Sequence, residues 1–192
     1  DIFIGIGMFE SAGDTVYDAC RRTVKKMAAL LPELGPGARG LELGSGYGAA
    51  ARYLANDLGF HIDCLNLSLV QNQQNRQINQ DRGLGDRINV VDGSFEDIPF
   101  GAQTYDFAWS QDGFLHSSDR RNVLEEVGRV LKPGGHLVFT DLIQDEDCPP
   151  EVLEQVLARF ELESLGTVNF YRESAKELGW RELEVIDLSG NL

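Results

Sequence analysis

The chain has 192 residues, 42% of them hydrophobic, enough to bury a sizeable core in a single globular domain. Seventeen Lys and Arg against 31 Asp and Glu give a net charge of −14, which repels phosphate backbones and anionic lipid and argues against nucleic-acid and membrane partners. No apolar run approaches the ~18 residues of a membrane span, the start Asp1–Ile6 lacks a secretory signal, and Cys20, Cys64 and Cys148 show no metal-type spacing, so free thiols in a cytoplasmic protein without a metal site are expected.

Residues 14 to 31 read as a helix, with Asp14 as its cap and Val16, Cys20, Val24, Met27 and Leu31 on one face. Pro32 and Gly35-Pro36-Gly37 end it. Strands are then expected at Gly40–Leu43, Ile62–Leu67, Ile88–Val91, Tyr105–Trp109 and His136–Asp141, with helices at about 47–58, 69–82 and 119–131 between them. Gly59 and Gly83 stop the first two of these helices, and Lys132-Pro133-Gly134-Gly135 turns the third into its strand. Helices at about 150–164 and 171–178 flank Leu165–Phe170, and Leu183–Leu188 reads as a sixth strand. Such alternation predicts right-handed crossovers, a mostly parallel sheet covered on both faces, and ligands held beyond the carboxyl ends of the strands. The expected organisation is one domain over 1–192, with a helical cap at about 1–34 and a core at about 38–192.

The chemistry-bearing residues follow those strands. After the first comes Glu42-Leu43-Gly44-Ser45-Gly46-Tyr47-Gly48, a turn that lets backbone approach a ligand closely at a helix start. Gly44, Gly46 and Ala49 also fit a dinucleotide fingerprint. Gly48 and the preceding acid Glu42 favour S-adenosylmethionine over a nicotinamide cofactor. Asn66, twenty residues beyond Gly46, stands where ribose hydroxyls are read, with Leu67 beside it and Gln71 one helical turn on. Asp92-Gly93-Ser94-Phe95 offers a carboxylate to an adenine amino group and an aromatic face to the ring. Trp109-Ser110-Gln111-Asp112-Gly113-Phe114-Leu115-His116-Ser117 is a dense polar and aromatic run where donor and acceptor should meet: Ser110 and Gln111 toward the cofactor, His116 as proton acceptor or substrate-orienting group.

These stretches, with Ala19–Val24, Leu65–Ser68, Val91–Phe100, Val123–Gly135, Asp147-Cys148-Pro149 and Phe170-Tyr171-Arg172, resemble the glycine, sarcosine and dimethylglycine N-methyltransferases of glycine betaine synthesis, closest to the members that finish the pathway. Asn66 matches that family's residue at its position. The resemblance implies a Rossmann-like class I methyltransferase fold, a three-layer α/β/α sandwich, and methyl transfer from S-adenosylmethionine to a small-molecule amine by a monomer or homodimer. It places the acceptor's carboxylate on Arg172 and its methylated nitrogen among Tyr171, Trp109 and Phe114. Two departures stand out. Around Ile4–Phe9 the family has a His and a Tyr about a single glycine, where this chain has Gly5 and Phe9. No segment supplies the fold's C-terminal seventh strand, so a truncated or divergent chain with an exposed sheet edge is expected. Three rivals remain: the same chemistry on a phosphoethanolamine-like or natural-product amine or hydroxyl, a non-catalytic cofactor-binding protein, and a nicotinamide oxidoreductase.

Overall fold

The computed structural model describes residues 1–3 and 5–191; Ile4 and Leu192, the ends of two stretches considered above, lie outside the described residues. Its elements run α1 (Val16–Ala28), β1 (Arg39–Leu43), α2 (Ala49–Asp57), β2 (His61–Asn66), α3 (Leu69–Asp81), β3 (Ile88–Asp92), β4 (Tyr105–Gln111), a short 3-10 turn (Phe114–His116), α4 (Arg120–Val130), β5 (Leu131–Thr140), α5 (Pro150–Phe160) and α6 (Val168–Glu177). The five strands form one sheet in the order β3-β2-β1-β4-β5, and every pairing is parallel. The winding reverses between β1 and β4, which in open α/β sheets is where a crevice opens at the carboxyl ends.

The sheet separates two cores. Val24 and Met27 of α1 and Ala51 and Leu54 of α2 pack on Ile62, Cys64, Phe107 and Trp109. On the other face, Val123, Leu124 and Val127 of α4 pack on Leu41, Leu43, Leu65 and Ala108. This is the period-two division expected of a sheet buried on both sides. A register shift between Tyr105 and Phe107 breaks the alternation in β4, so Tyr105 joins the α4 side although Phe107 and Trp109 face the other. β5 is longer than the sequence suggests: Leu131 already pairs with Tyr105, and the Lys132–Gly135 turn bulges before pairing resumes at His136.

Two expectations are corrected. Thr15, not Asp14, caps α1, accepting from the Asp18 N–H at 3.1 Å, while Asp14 accepts from Glu10, Ser11 and Arg22. Leu183–Leu188 forms no strand. Leu183 and Val185 are exposed, and the segment lines a cavity beside β5 rather than pairing with it. Among the described residues the sheet therefore has five strands, with β5 at an edge. No described helix is long and apolar enough to cross a membrane.

α3 reverses the usual order of an amphipathic helix. Its buried positions are Asn72, Asn75 and Asn79, while Leu69 and Val70 are exposed. The asparagines are matched by a buried arginine: Arg52 of α2 donates to Asn75 Oδ1 at 3.0 Å and Asn79 Oδ1 at 3.1 Å, and Asn79 donates to Asn75 at 2.9 Å. Each amide gains at least one partner this way, although Asn75 Nδ2 and Arg52 Nη2 have none among the described residues.

Candidate functional site

The glycine turn lies where the topology directs. Gly44, Gly46 and Gly48 have φ of 70°, 51° and 73°, left-handed values that a side chain would strain. Gly48 is also sterically fixed, since a Cβ there would stand 2.1 Å from Asn75 Oδ1. With no capping side chain at Gly48, α2 is capped from β1: the buried Glu42 carboxylate accepts from the Ala51 N–H at 3.1 Å. Glu42 therefore points beneath the turn rather than out of it. Burial raises its pKa to about 7, against the lowering effects of the Cys64 thiol, Arg52 and the Ala51 N–H. Ser45 Oγ is buried with no partner among the described residues.

A hydrogen-bonded chain links the ends of β1, β2 and β3. Asn66 Oδ1 accepts from the Gly46 N–H at 3.3 Å, and its Nδ2 donates to Gln71 at 3.1 Å and Asn72 at 2.9 Å. Asn72 donates in turn to the Asn66 carbonyl at 2.8 Å and to Asp92 Oδ1 at 2.7 Å, and Arg76 reaches Asp92 at 2.7 Å. Arg76 and Asn72 hold the Asp92 carboxyl below its ordinary pKa, so it is an ionised acceptor, half exposed. Leu67 is 67% exposed beside this chain, an apolar surface free for a ring to cover. Gly93 passes so close to Leu65 that a Cβ would sit 2.9 Å from its methyl, Ser94 Oγ accepts from the Glu96 N–H, and Phe95 meets Phe114 edge-on at 6.1 Å.

Across the switch point, Ser110 Oγ donates to the Leu43 carbonyl at 3.0 Å, and Gly113 packs on Gly44. Gln111 Nε2 is buried without a partner among the described residues. Residues 5–8 form a strap over this point. The Ile6 N–H donates to Asp112 Oδ2 at 2.6 Å, Thr23 donates to the Ile6 carbonyl, and the Cys20 thiol donates to the Gly5 carbonyl. A side chain at Gly5 would come within 2.8 Å of Gln111 Nε2 and 2.9 Å of Asp112 Oδ2, which is a physical reason for glycine there.

The remaining sequence-selected residues are not gathered at one point. Trp109 and Phe114 are fully buried in the two cores, and Trp109 Nε1 has no partner among the described residues. His116 is exposed on the 3-10 turn. Arg172 is half exposed and paired with Glu182 at 2.8 Å. Tyr171, its neighbour, instead faces inward and donates to Asp141 Oδ2 at 2.5 Å. A cavity of about 1550 Å³ runs from Ile6, Asp112, Thr140, Asp141 and Tyr171 along β5; it does not include the glycine turn.

Sequence reasoning gave no role to Asn72, Arg76, Asp112, Thr140 or Asp141. The last three were within reach of the carboxyl-end rule, because Asp112 directly follows β4 and Asp141 follows β5. Asn72 carried no such signal.

A parallel α/β sheet with a glycine turn at its switch point is the arrangement of an open α/β domain that holds ligands beyond the carboxyl ends of its strands. Residues 41–139 match the model of the methyltransferase domain family, and the chain belongs to that family. It is 53% identical over 179 residues to the sarcosine/dimethylglycine N-methyltransferase of Aphanothece halophytica, covering 93% of this chain and 65% of that protein. Against the enzyme of the same name from Halorhodospira halochloris it is 45% identical, covering 96% of this chain and 66% of the relative. The chain thus spans just under two thirds of the length of these curated relatives. A crystal structure from Galdieria sulphuraria, assigned as a sarcosine dimethylglycine methyltransferase, superimposes with a TM-score of 0.88 at 41% identity, covering 92% of this chain and 69% of that one.

Proposed function

We propose that the chain methylates the nitrogen of sarcosine, dimethylglycine or both, using S-adenosylmethionine, toward glycine betaine. The observation that carries the cofactor is the continuous link from the Gly46 N–H through Asn66 and Asn72 to Asp92, which aligns a diol acceptor, a flat apolar surface and an ionised acid. The acceptor rests on the likeness to the two betaine-forming relatives.

In this reading Asn66 and Gln71 hold the ribose, Leu67 and Phe95 enclose the adenine, and Asp92 accepts from its amino group, with Gly93 and Ser94 leaving it room. Gly44, Ser45, Gly46 and Gly48 bring backbone and the unpartnered Ser45 hydroxyl to the amino-acid portion, and Glu42 holds that turn from below. Ser110 and Gln111 flank the switch point, where Gln111 Nε2 gains the partner it otherwise lacks. When bound, S-adenosylmethionine supplies an electrophilic methyl on a sulfonium. The protein's task is to place an amine lone pair in line with it, an orientation that contributes as much as ~7–11 kcal/mol. Tyr171 offers the acceptor a face and His116 orients it, while Trp109 and Phe114, fully buried in the two cores, support β4 and the following turn rather than touch it. Arg172 takes its carboxylate by exchanging Glu182, a surface pair whose loss costs only ~0–1 kcal/mol. We place residues 1–192 in one domain, in the cytoplasm, acting as monomer or homodimer on a small molecule.

Assay with labelled donor across glycine, sarcosine, dimethylglycine and phosphoethanolamine tests the reading. Turnover is expected on sarcosine or dimethylglycine. Donor binding with no turnover on any of the methylglycines would sink it.

A further inference from the structure

Asp141 occupies an unusual position. It follows β5 and sits, half buried, on the wall of the large cavity. Its Oδ1 accepts from the Leu115 N–H at 2.8 Å, in the turn whose Gly113 packs on Gly44, and its Oδ2 accepts from Tyr171. A row of aromatic rings leads to it from the other end of the site: Phe95 to Phe114 at 6.1 Å, Phe114 to Phe139 at 5.1 Å, and Phe139 to Tyr171 at 5.0 Å. Only Phe139 and Tyr171 of this row line the cavity beside Asp141, and such a pairing matches a methylated ammonium, because ring faces attract the N-methyl groups and the carboxylate takes the N–H.

Resting on the methyl-transfer reading above, we propose that Asp141, backed by Tyr171 and Phe139, binds the acceptor's ammonium group and accepts its proton. The N–H bond breaks with its electron pair left on nitrogen, and the proton passes to an Asp141 carboxylate oxygen. That pair then forms the new N–C bond as the C–S bond of the sulfonium donor breaks and its electrons remain on sulfur. Asp112, the other acid at this end, is poorly placed for the role, because the strap lies on it and the Ile6 N–H donates to its Oδ2 at 2.6 Å.

The surroundings suit a base. Burial pushes Asp141 up to about 6; the Tyr171 hydroxyl, the Leu115 N–H and the Arg120 guanidinium of α4 pull it down, and Asp112 pushes it up. Arg172 of α6 is engaged by Glu182, and His116 is exposed on the 3-10 turn. A carboxyl poised there is ionised at neutral pH yet more basic than a free aspartate.

The test is calorimetry on protein saturated with S-adenosylhomocysteine, titrated with dimethylglycine and separately with tetramethylammonium, for wild type, Asp141→Asn and Tyr171→Phe, beside pH profiles of kcat/KM. Asp141→Asn is expected to weaken both cations at least tenfold, leave S-adenosylhomocysteine binding within twofold, and abolish the acid limb near pH 6. Tyr171→Phe is expected to move that limb to higher pH, since it removes a bond to the ionised form. Equal cation binding by wild type and Asp141→Asn, or no cation binding by wild type, would overturn the proposal. If Asp141→Asn does not fold, an unmoved acid limb or unchanged cation affinity in Tyr171→Phe overturns it. Aspartate-dependent cation binding without turnover on any methylglycine would leave the ammonium site standing and sink the methyl-transfer reading instead.

Discussion

Replacing Glu42 by Gln isolates the energetics of an acid buried beneath the glycine turn. Glu42 is 4% exposed and its pKa rises from 4.5 to about 7 on folding. Below pH 4.5 the carboxyl is protonated in both states and its contribution is complete. As pH rises toward 7 the unfolded chain ionises while the folded one still holds the proton, so stability falls. At ~1.4 kcal/mol per pH unit, the loss amounts to about 3 kcal/mol, reached just above pH 7. The amide keeps an acceptor for the Ala51 N–H and has no charge to lose. Whatever fixed cost the extra N–H groups bring, the stability of Glu42→Gln relative to wild type is expected to climb by about 3 kcal/mol between pH 4.5 and 8. Urea unfolding at four pH values measures it. Parallel pH curves for the two proteins would refute the reasoning and mean that Glu42 is ionised inside the fold at no cost.

Gly48→Ala combines a left-handed φ of 73° with a Cβ 2.1 Å from Asn75 Oδ1, so a loss of about 2–4 kcal/mol and at least tenfold weaker S-adenosylhomocysteine binding are expected by melting and calorimetry. Gly83→Ala, at φ 66° with nothing within 4 Å, is the control and should lose only ~1–2 kcal/mol with binding intact. Asn72→Ala removes three hydrogen bonds, one to the charged Asp92, and is expected to cost about 2–3 kcal/mol and to weaken S-adenosylhomocysteine binding while KM for the methylglycine stays within threefold; unchanged binding would show that the Asn66–Asp92 link is not part of the cofactor site.

The sheet was legible in the sequence because its strands are apolar runs separated by glycine and proline stops, and the residues just after them needed only the carboxyl-end rule. Leu183–Leu188 was misread for a related reason. Alternating leucine and valine describe a strand only when an edge is presented to them, and here the segment lies across the cavity from β5. Asn72, Asn75 and Asn79 were invisible to hydrophobic periodicity, which takes polar residues to face water. Asn75 and Asn79 depend on Arg52 of α2, and Asn72 on Asn66 and Asp92 beyond β2 and β3, and no local pattern connects them. The position of Arg172 was equally out of reach, since its partner Glu182 is met only after α6 ends.

The two ends of the sheet differ in a way that separates structure from function. Near the amino ends, Asp63 bonds Arg39, Asn89 and Tyr105, and Asp106 bonds Lys132 and the Arg39 N–H. That network is a closed set of paired charges, and it asks for nothing more. At the carboxyl ends the ordinary rules are broken together. An acid is buried beneath the turn, Asp112 holds a φ of 51°, and buried donors on Ser45, Trp109 and Gln111 go unmatched among the described residues. An unpaired buried donor costs about 1–3 kcal/mol, and strained backbone adds to that. Such costs are what the methyl-donor site proposed above would repay at Ser45 and Gln111, and Arg52, Asn75 and Arg120 keep unmatched donors elsewhere among the described residues. Ser45 and Gln111 lie on either side of the β1–β4 crevice, which calls for a ligand whose acceptors reach across the switch point. On the reading proposed above, the carboxylate-bearing amino-acid moiety of S-adenosylmethionine is the part that would meet that demand.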